Sequence, residues 1–259
     1  MAKVIAIANQ KGGVGKTTTA INLSASIAAQ AHKVLLVDLD PQGNATMGSG
    51  VDKHQLVLSS NDVLLHDCLA EQAVLSTACA YDLIPTNGDL TVAEVSLLER
   101  PARETFLATA LAPLHSKYAF ILIDCPPALN TLTMNALVAA DSVLIPMQCE
   151  YYALEGIAAL LGTIEQIKQT VNPRLQIEGI LRTMYDARNR LCSDVSKQLL
   201  QHFSHKVYRT VVPRNVRLAE APSHGLAALQ YDKFSPGAAA YMVLASELLG
   251  RQQMILSTE

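Results

Sequence analysis

Near the start of the chain, Lys11-Gly12-Gly13-Val14-Gly15-Lys16-Thr17-Thr18 places three glycines, two lysines and two threonines in eight residues. Backbone N–H groups of Gly12, Gly13, Val14 and Gly15 can converge on an anion without Cβ interference. A helix opening at Lys16 adds the positive end of its dipole. Lys16 then reaches the β- and γ-phosphates of a nucleotide, the Thr17 hydroxyl ligates Mg²⁺, and Thr18 donates to the α-phosphate. The plain phosphate-loop pattern would need glycine at position 10, where Gln10 stands, and a second lysine opens the loop instead. One site already has Lys16 for charge neutralisation. Lys11 can fold back on its own nucleotide, or point outward and supply a cation in trans to a second copy, as an arginine finger does.

Hydrolysis of a triphosphate also needs a metal-orienting carboxylate and a group that places the attacking water. The apolar run "FILIDCPP" ends in Asp124, suited to hold Mg²⁺ through water. In "VLLVDLDPQGN", Asp38 stands at a strand tip and Asp40 enters the next loop. Asp40 is expected to position the water. Asp38 either supports the magnesium shell through water or caps the loop. None of the ten lysines lies in an N-K-x-D element, so guanine recognition is disfavoured and ATP is the expected nucleotide. The segment "VVPRNVR" follows the last strand, where a base would lie, and the Asn215 amide there can read adenine's edge.

Elements that would carry these residues alternate along the chain. Apolar runs at 3–8, 33–38, 81–85, 119–124, 142–147, 177–185 and 205–212 read as strands covered on both faces. Helical stretches at 17–29, 90–98, 131–139, 153–169, 193–202 and 237–249 lie between and after them. This alternation predicts an α/β fold: one P-loop NTPase domain over 1–259, with a mostly parallel twisted sheet and helices on both faces. Ligands then bind at the carboxyl ends of the strands, where the chemistry-bearing residues fall. Residues 41–62, rich in Gly, Asn, Ser and Asp, are expected to be loop with little regular structure.

The chain has 259 residues, is 50% hydrophobic and carries a formal charge of -3, which argues against coating nucleic acid with the whole surface. Five scattered cysteines read as reduced thiols. No signal peptide or membrane-spanning run is evident, and "RQQMILSTE" lacks a basic amphipathic pattern, so a cytoplasmic protein with no membrane contact is expected. From Arg174 to Arg217, nine Lys/Arg stand against three acids, while the remainder is acidic. A local basic region suits weak, salt-sensitive phosphate contacts. Arg188, Arg190, Lys206, Arg214 and Arg217 are the candidates, contacting phosphate without base readout.

The deviant loop K-G-G-V-G-K-T-T resembles that of the MinD/ParA class of P-loop ATPases. Together with "LLVDLDPQGNAT", "ILIDCPP", "LIPMQCEYYALEG" and "VVPRNVRLAEAPSHG", the chain looks like a ParA/Soj-type chromosome-partition ATPase. The resemblance implies that Lys11 contacts the other subunit's nucleotide and that Gly12 packs at a dimer interface. It implies that Asp40 is needed for hydrolysis and that Pro213 and Asn215 line the adenine pocket. It further implies an ATP-bound homodimer that binds double-stranded DNA non-specifically on the nucleoid, with a ParB-type partner stimulating hydrolysis. With the first strand at residue 3, operator-specific autorepression by an N-terminal helix-turn-helix is not expected. A membrane-cycling MinD-like ATPase and a metabolic ATP-using enzyme are the alternatives; a paired-cysteine reductase lacks its second cysteine.

Overall fold

The computed structural model describes residues 1–151 and 153–256. Its strands are β1 (Lys3–Ile7), β2 (Val34–Asp38), β3 (Leu75–Ser76), β4 (Asp82–Ile84), β5 (Phe120–Asp124), β6 (Ser142–Gln148), β7 (Gln176–Tyr185) and β8 (Val207–Pro213). The helices are α1 (Lys16–Ala28), α2 (Asn44–Gly48), α3 (Ser60–Leu65), α4 (Leu90–Leu97), α5 (Phe106–Leu111), α6 (Thr131–Ala139), α7 (Ala153–Thr170), α8 (Arg190–Phe203), α9 (Val216–Glu220), α10 (Ala228–Tyr231) and α11 (Pro236–Leu256).

One sheet runs β3-β4-β2-β5-β1-β6-β7-β8, parallel throughout except at the β3–β4 edge. The central strands carry apolar side chains on both faces because helices cover both. Val4, Ala6, Leu35, Val37, Ile121 and Ile123 point to the layer that includes α3 to α8. Their neighbours Ile5, Ile7, Leu36 and Leu122 point to the layer of α1, α10 and α11. The doubly covered parallel sheet expected from the sequence is therefore the fold observed. Strand β3 escaped the sequence reading because two exposed residues carry no usable period.

The segment 41–62 differs from expectation. It holds α2 and the start of α3, where Ser59 and Asp62 form a reciprocal capping box. Thr46, Ser49, Ser59 and Ser60 are buried. Their polar groups are satisfied inside the protein rather than by water: Ser49 bonds the Ala45 carbonyl and the Tyr81 hydroxyl, and Ser60 donates to the Asp38 carbonyl. Composition read as loop because these residues favour solvent unless the fold supplies such partners.

Candidate nucleotide site at the carboxyl edge of the sheet

Strand β1 delivers the glycine loop to the sheet's edge between β5 and β6. Gly13 and Gly15 take left-handed backbone (φ 73° and 89°), which a side chain would strain. Helix α1 then starts without any side-chain cap, leaving its first N–H groups to a ligand. Two residues outside the glycine run hold the loop in shape. Buried Asn9 donates to the Pro146 carbonyl at 2.8 Å and accepts from Lys11 N–H at 3.0 Å. Thr183 of β7 donates to the Val14 carbonyl at 2.7 Å.

Lys16 is 7% exposed and donates across the loop to the Lys11 carbonyl at 3.3 Å. Burial pushes its ammonium below the ordinary value, and Asp124 and Asp40 pull it back up. Asp38 and Asp124 are register partners at the tips of β2 and β5. Two buried carboxyls so placed repel, and each is raised, first by burial. Asp38, pushed up to about 7, is nonetheless well bonded: Thr46 donates to it through both N–H (2.8 Å) and hydroxyl (2.7 Å), and Asp40 through N–H (3.2 Å). This geometry is the loop-capping one, and it leaves Asp38 with less unmet hydrogen-bonding capacity than its neighbour. Asp124 is the opposite case. It is fully buried and neither carboxylate oxygen has a hydrogen-bond partner among the described residues. The Thr17 hydroxyl faces it and, with Lys16, draws its carboxyl back down. An orphaned carboxylate beside a threonine and an uncapped helix is a donor set that fits a hydrated magnesium ion. Asp40, 8% exposed, starts the loop beyond β2 and accepts from Gln42 N–H at 3.0 Å.

At the carboxyl end of β8, Pro213, Arg214 and Asn215 line a cavity of about 190 Å³ with Gly15, Thr18 and Thr183. Thr18 and Thr17 also border a larger groove of about 820 Å³ shared with Asn44 and Pro222. Lys11 points away from both. Its ammonium pairs with Glu150, on the loop after β6, and both side chains are about half exposed. A Cβ at Gly12 would meet no atom of this chain within 4 Å, so crowding there needs a second molecule. Asn9, Thr46, Glu150 and Thr183 were not singled out from sequence. Thr46 and Glu150 lie inside quoted motifs; Asn9 and Thr183 carry no local signal, since each bonds a residue distant in sequence.

The basic segment is less unified than its charge count suggested. Arg182 is buried and bonds Ser196 and the carbonyls of Tyr208 and Arg209, so it is structural. Lys206 precedes β8, at the amino edge of the sheet, while Arg214 follows that strand's carboxyl end. Seven strand residues at about 3.3 Å each keep them roughly 20 Å apart. The structure thus separates Lys206 from the other candidates. Arg188 and Arg190 stand together at the start of α8, more than 90% exposed, and Arg214 is close enough to help lower the Asp186 carboxyl. Arg188 is engaged by Asp186, Arg190 sits 3.9 Å from Asp194, and Arg217 pairs with Glu220 and Asp232.

The AAA domain family profile matches residues 2–177. Sporulation initiation inhibitor protein Soj of Bacillus subtilis is 49% identical over 249 residues, 96% of this chain and 98% of Soj. Chromosome partitioning protein ParA of Caulobacter vibrioides is 47% identical over 254 residues, 97% of this chain and 95% of ParA. Among solved structures, cobyrinic acid a,c-diamide synthase of Mycobacterium smegmatis with bound ADP and magnesium superposes with a TM-score of 0.86 at 39% identity, covering 98% of this chain and 96% of that one. Identity of this depth over nearly the full length of these relatives shows that the chain belongs to the ParA/Soj family of chromosome-partitioning ATPases.

Proposed function

We propose that this chain is an ATP-driven partition switch. Its loop and α1 hold the phosphates of ATP, with Lys16 at the β- and γ-phosphates and Thr18 at the α-phosphate; the cavity beside Pro213 and Asn215 takes the adenine. Magnesium, when bound, draws off charge from the phosphate oxygens; Thr17 would ligate it directly and Asp124 through water, while Asp38 holds Thr46 and Asp40 in place. Asp40 orients the water that attacks the γ-phosphorus. The observation that carries this reading is the buried, unpartnered Asp124 facing Thr17 at the mouth of an uncapped helix. A neutral fold would not keep such a group without a cation to answer it.

Lys11 supports the second half of the proposal. Lys16 already serves this chain's own loop, and Lys11 is held by Glu150 at the rim, where a second copy can reach it. Nucleotide occupancy would give Lys11 a counter-charge across the interface, so ATP favours a homodimer. The paired molecule carries two basic rims of Arg188, Arg190 and Arg214, enough for salt-sensitive, sequence-independent DNA binding in the nucleoid. A ParB-type protein would then trigger hydrolysis and release. A membrane-cycling role has less support: among described residues no helix is long and apolar enough to cross a membrane. Arg251 of α11 is spent on Glu247 and the Val207 carbonyl, while the last three residues of "RQQMILSTE" lie outside the described residues.

The test is DNA retardation with ATP, ADP or no nucleotide at two salt concentrations. Retardation only with ATP, fading as salt rises, is the expected result; equal retardation with ADP rejects the switch. An amide-forming enzyme is the second reading, favoured by the 39% identical synthase and the groove of about 820 Å³ beside Thr17. Turnover that depends on cobyrinic acid and ignores DNA would establish it.

A further inference from the structure

We propose that Arg182 and Glu247 are positioning residues for the base: together they pin a bulge in β8 that delivers Pro213 and Asn215 to the cavity beside Gly15. The inference rests on the reading of that cavity as the adenine site. The register of the last two strands carries it. Ile180 stands opposite Val207 and Arg182 opposite Val211, so two steps along β7 are matched by four along β8. Two extra residues therefore bulge between Val207 and Val211. Beyond Arg182 the excess changes strand: three steps of β7, from Arg182 to Tyr185, run against two of β8, from Val211 to Pro213. Met184 takes left-handed backbone there (φ 48°) and lines the cavity. Arg182 is thus the register point between two irregularities.

In a regular strand successive carbonyls point to opposite edges, and so do successive N–H groups. In this bulge they converge. Arg182 Nη2 donates to the Tyr208 carbonyl at 2.8 Å and the Arg209 carbonyl at 3.1 Å, while Nη1 donates to Ser196 Oγ of α8 at 2.8 Å. From α11, the Glu247 carboxylate accepts from the N–H groups of Arg209 and Thr210, both at 2.9 Å, and from the Thr210 hydroxyl at 2.7 Å. Arg251, one turn on, donates to Glu247 at 2.8 Å. The partners of the buried Arg182 guanidinium are uncharged oxygens. A buried cation without a carboxylate is a costly way to fill a core, but its fork suits two adjacent carbonyls. What it secures is the reach of β8. Without the bulge the strand would slip by two residues, roughly 7 Å at about 3.3 Å each, and carry Pro213 and Asn215 away from Gly15 and Thr18. Next to Arg182, Thr183 bonds the Val14 carbonyl of the glycine loop at 2.7 Å. One stretch of β7 therefore sets the phosphate loop and the base wall at a fixed separation.

The experiment titrates the full chain, parent and Arg182→Met, calorimetrically with magnesium ATP and with magnesium tripolyphosphate, which lacks the base. ATP is expected to bind the variant about 10-fold more weakly, and tripolyphosphate within about twofold of the parent. A residue that only stabilises the fold would lower the melting temperature and leave both affinities alone, or weaken both together; either result overturns the proposal. Glu247→Gln keeps the side chain's length but offers one acceptor oxygen where two are used, so the same split is expected at about 3-fold. It carries the test if Arg182→Met does not fold, and an unchanged ratio of the two affinities there overturns the proposal. Asn215→Ala separates the inference from the cavity reading beneath it. If that variant keeps the parent ratio, adenine lies elsewhere and both fall. If it shifts the ratio while Arg182→Met and Glu247→Gln do not, the positioning role alone falls.

Discussion

The carboxyl edge between β2 and β6 and the basic run from Arg174 to Arg217 make an instructive pair. At the first, side chains are locked by partners far away in sequence: Asn9 to Pro146, Thr183 to Val14, Thr46 to Thr86. At the second, most charges are exposed side chains, several held by a nearby acid, and Lys206 lies at the opposite end of β8 from Arg214. Buried polar groups must be paired, so a small set of residues determines one geometry. Exposed charges obey no such constraint, and a count of them says little about where they act together.

That contrast can be broken or sharpened by substitution. The largest effect is expected from Lys16→Ala. Losing the buried cation should weaken ATP binding on the order of 100-fold, about 2.8 kcal/mol, by calorimetric titration; unchanged affinity would dismantle the phosphate-site assignment. Next, Asp40→Ala should keep ATP binding and lower turnover by roughly 10²- to 10⁴-fold in single-turnover assays. A variant that turns over at the parent rate would strip Asp40 of its role.

A smaller effect tests the locked region without touching phosphate. Thr46→Val removes one of three donors to a buried carboxylate and should cost about 1–3 kcal/mol in denaturant unfolding; a loss under about 0.5 kcal/mol would mean Asp38 finds another partner. The same region has a pH signature. Burial pushes the Asp38 carboxyl up to about 7 in the fold, from an ordinary value of 3.8. The folded pKa is the raised one, so the stabilisation is complete below the unfolded value and is lost as pH rises through the folded one. Nucleotide-free protein should thus lose stability between about pH 4 and 7, and Asp38→Asn should flatten that slope. Stability that instead climbs across this window in the parent, and not in the variant, would reverse the assignment.

The smallest effects belong to the basic run. Arg190→Ala should reduce the log–log salt slope of ATP-dependent DNA retardation by about 0.9 for each phosphate it neutralises. Lys206→Ala, at the far edge of the sheet, should leave it unchanged. Equal reductions would show that the DNA surface reaches around the molecule and that the separation of edges does not matter.

The fold was legible because it depends on runs of apolar residues, and β1, β2 and β5 are unbroken ones. The phosphate loop was legible because its chemistry is made by contiguous backbone. The 41–62 segment was not, since Ser49, Ser59 and Ser60 look like loop residues until Tyr81, Asp62 and the Asp38 carbonyl are brought to them. Arg182 entered the count of nine basic residues like the others, and only the fold shows that three oxygens from β8 and α8 surround it.

Sequence alone determined the alternation of strand and helix, the glycine loop, and the two carboxylates at strand tips, because each is written in neighbouring residues. Only the tertiary structure decided which aspartate is satisfied and which is left open, where Lys11 rests, and which cations share an edge. Those outcomes depend on the parallel register of β2 with β5 and of β7 with β8, which sets atoms from distant stretches side by side. Register is the result of the whole core packing at once, and no local spacing encodes it.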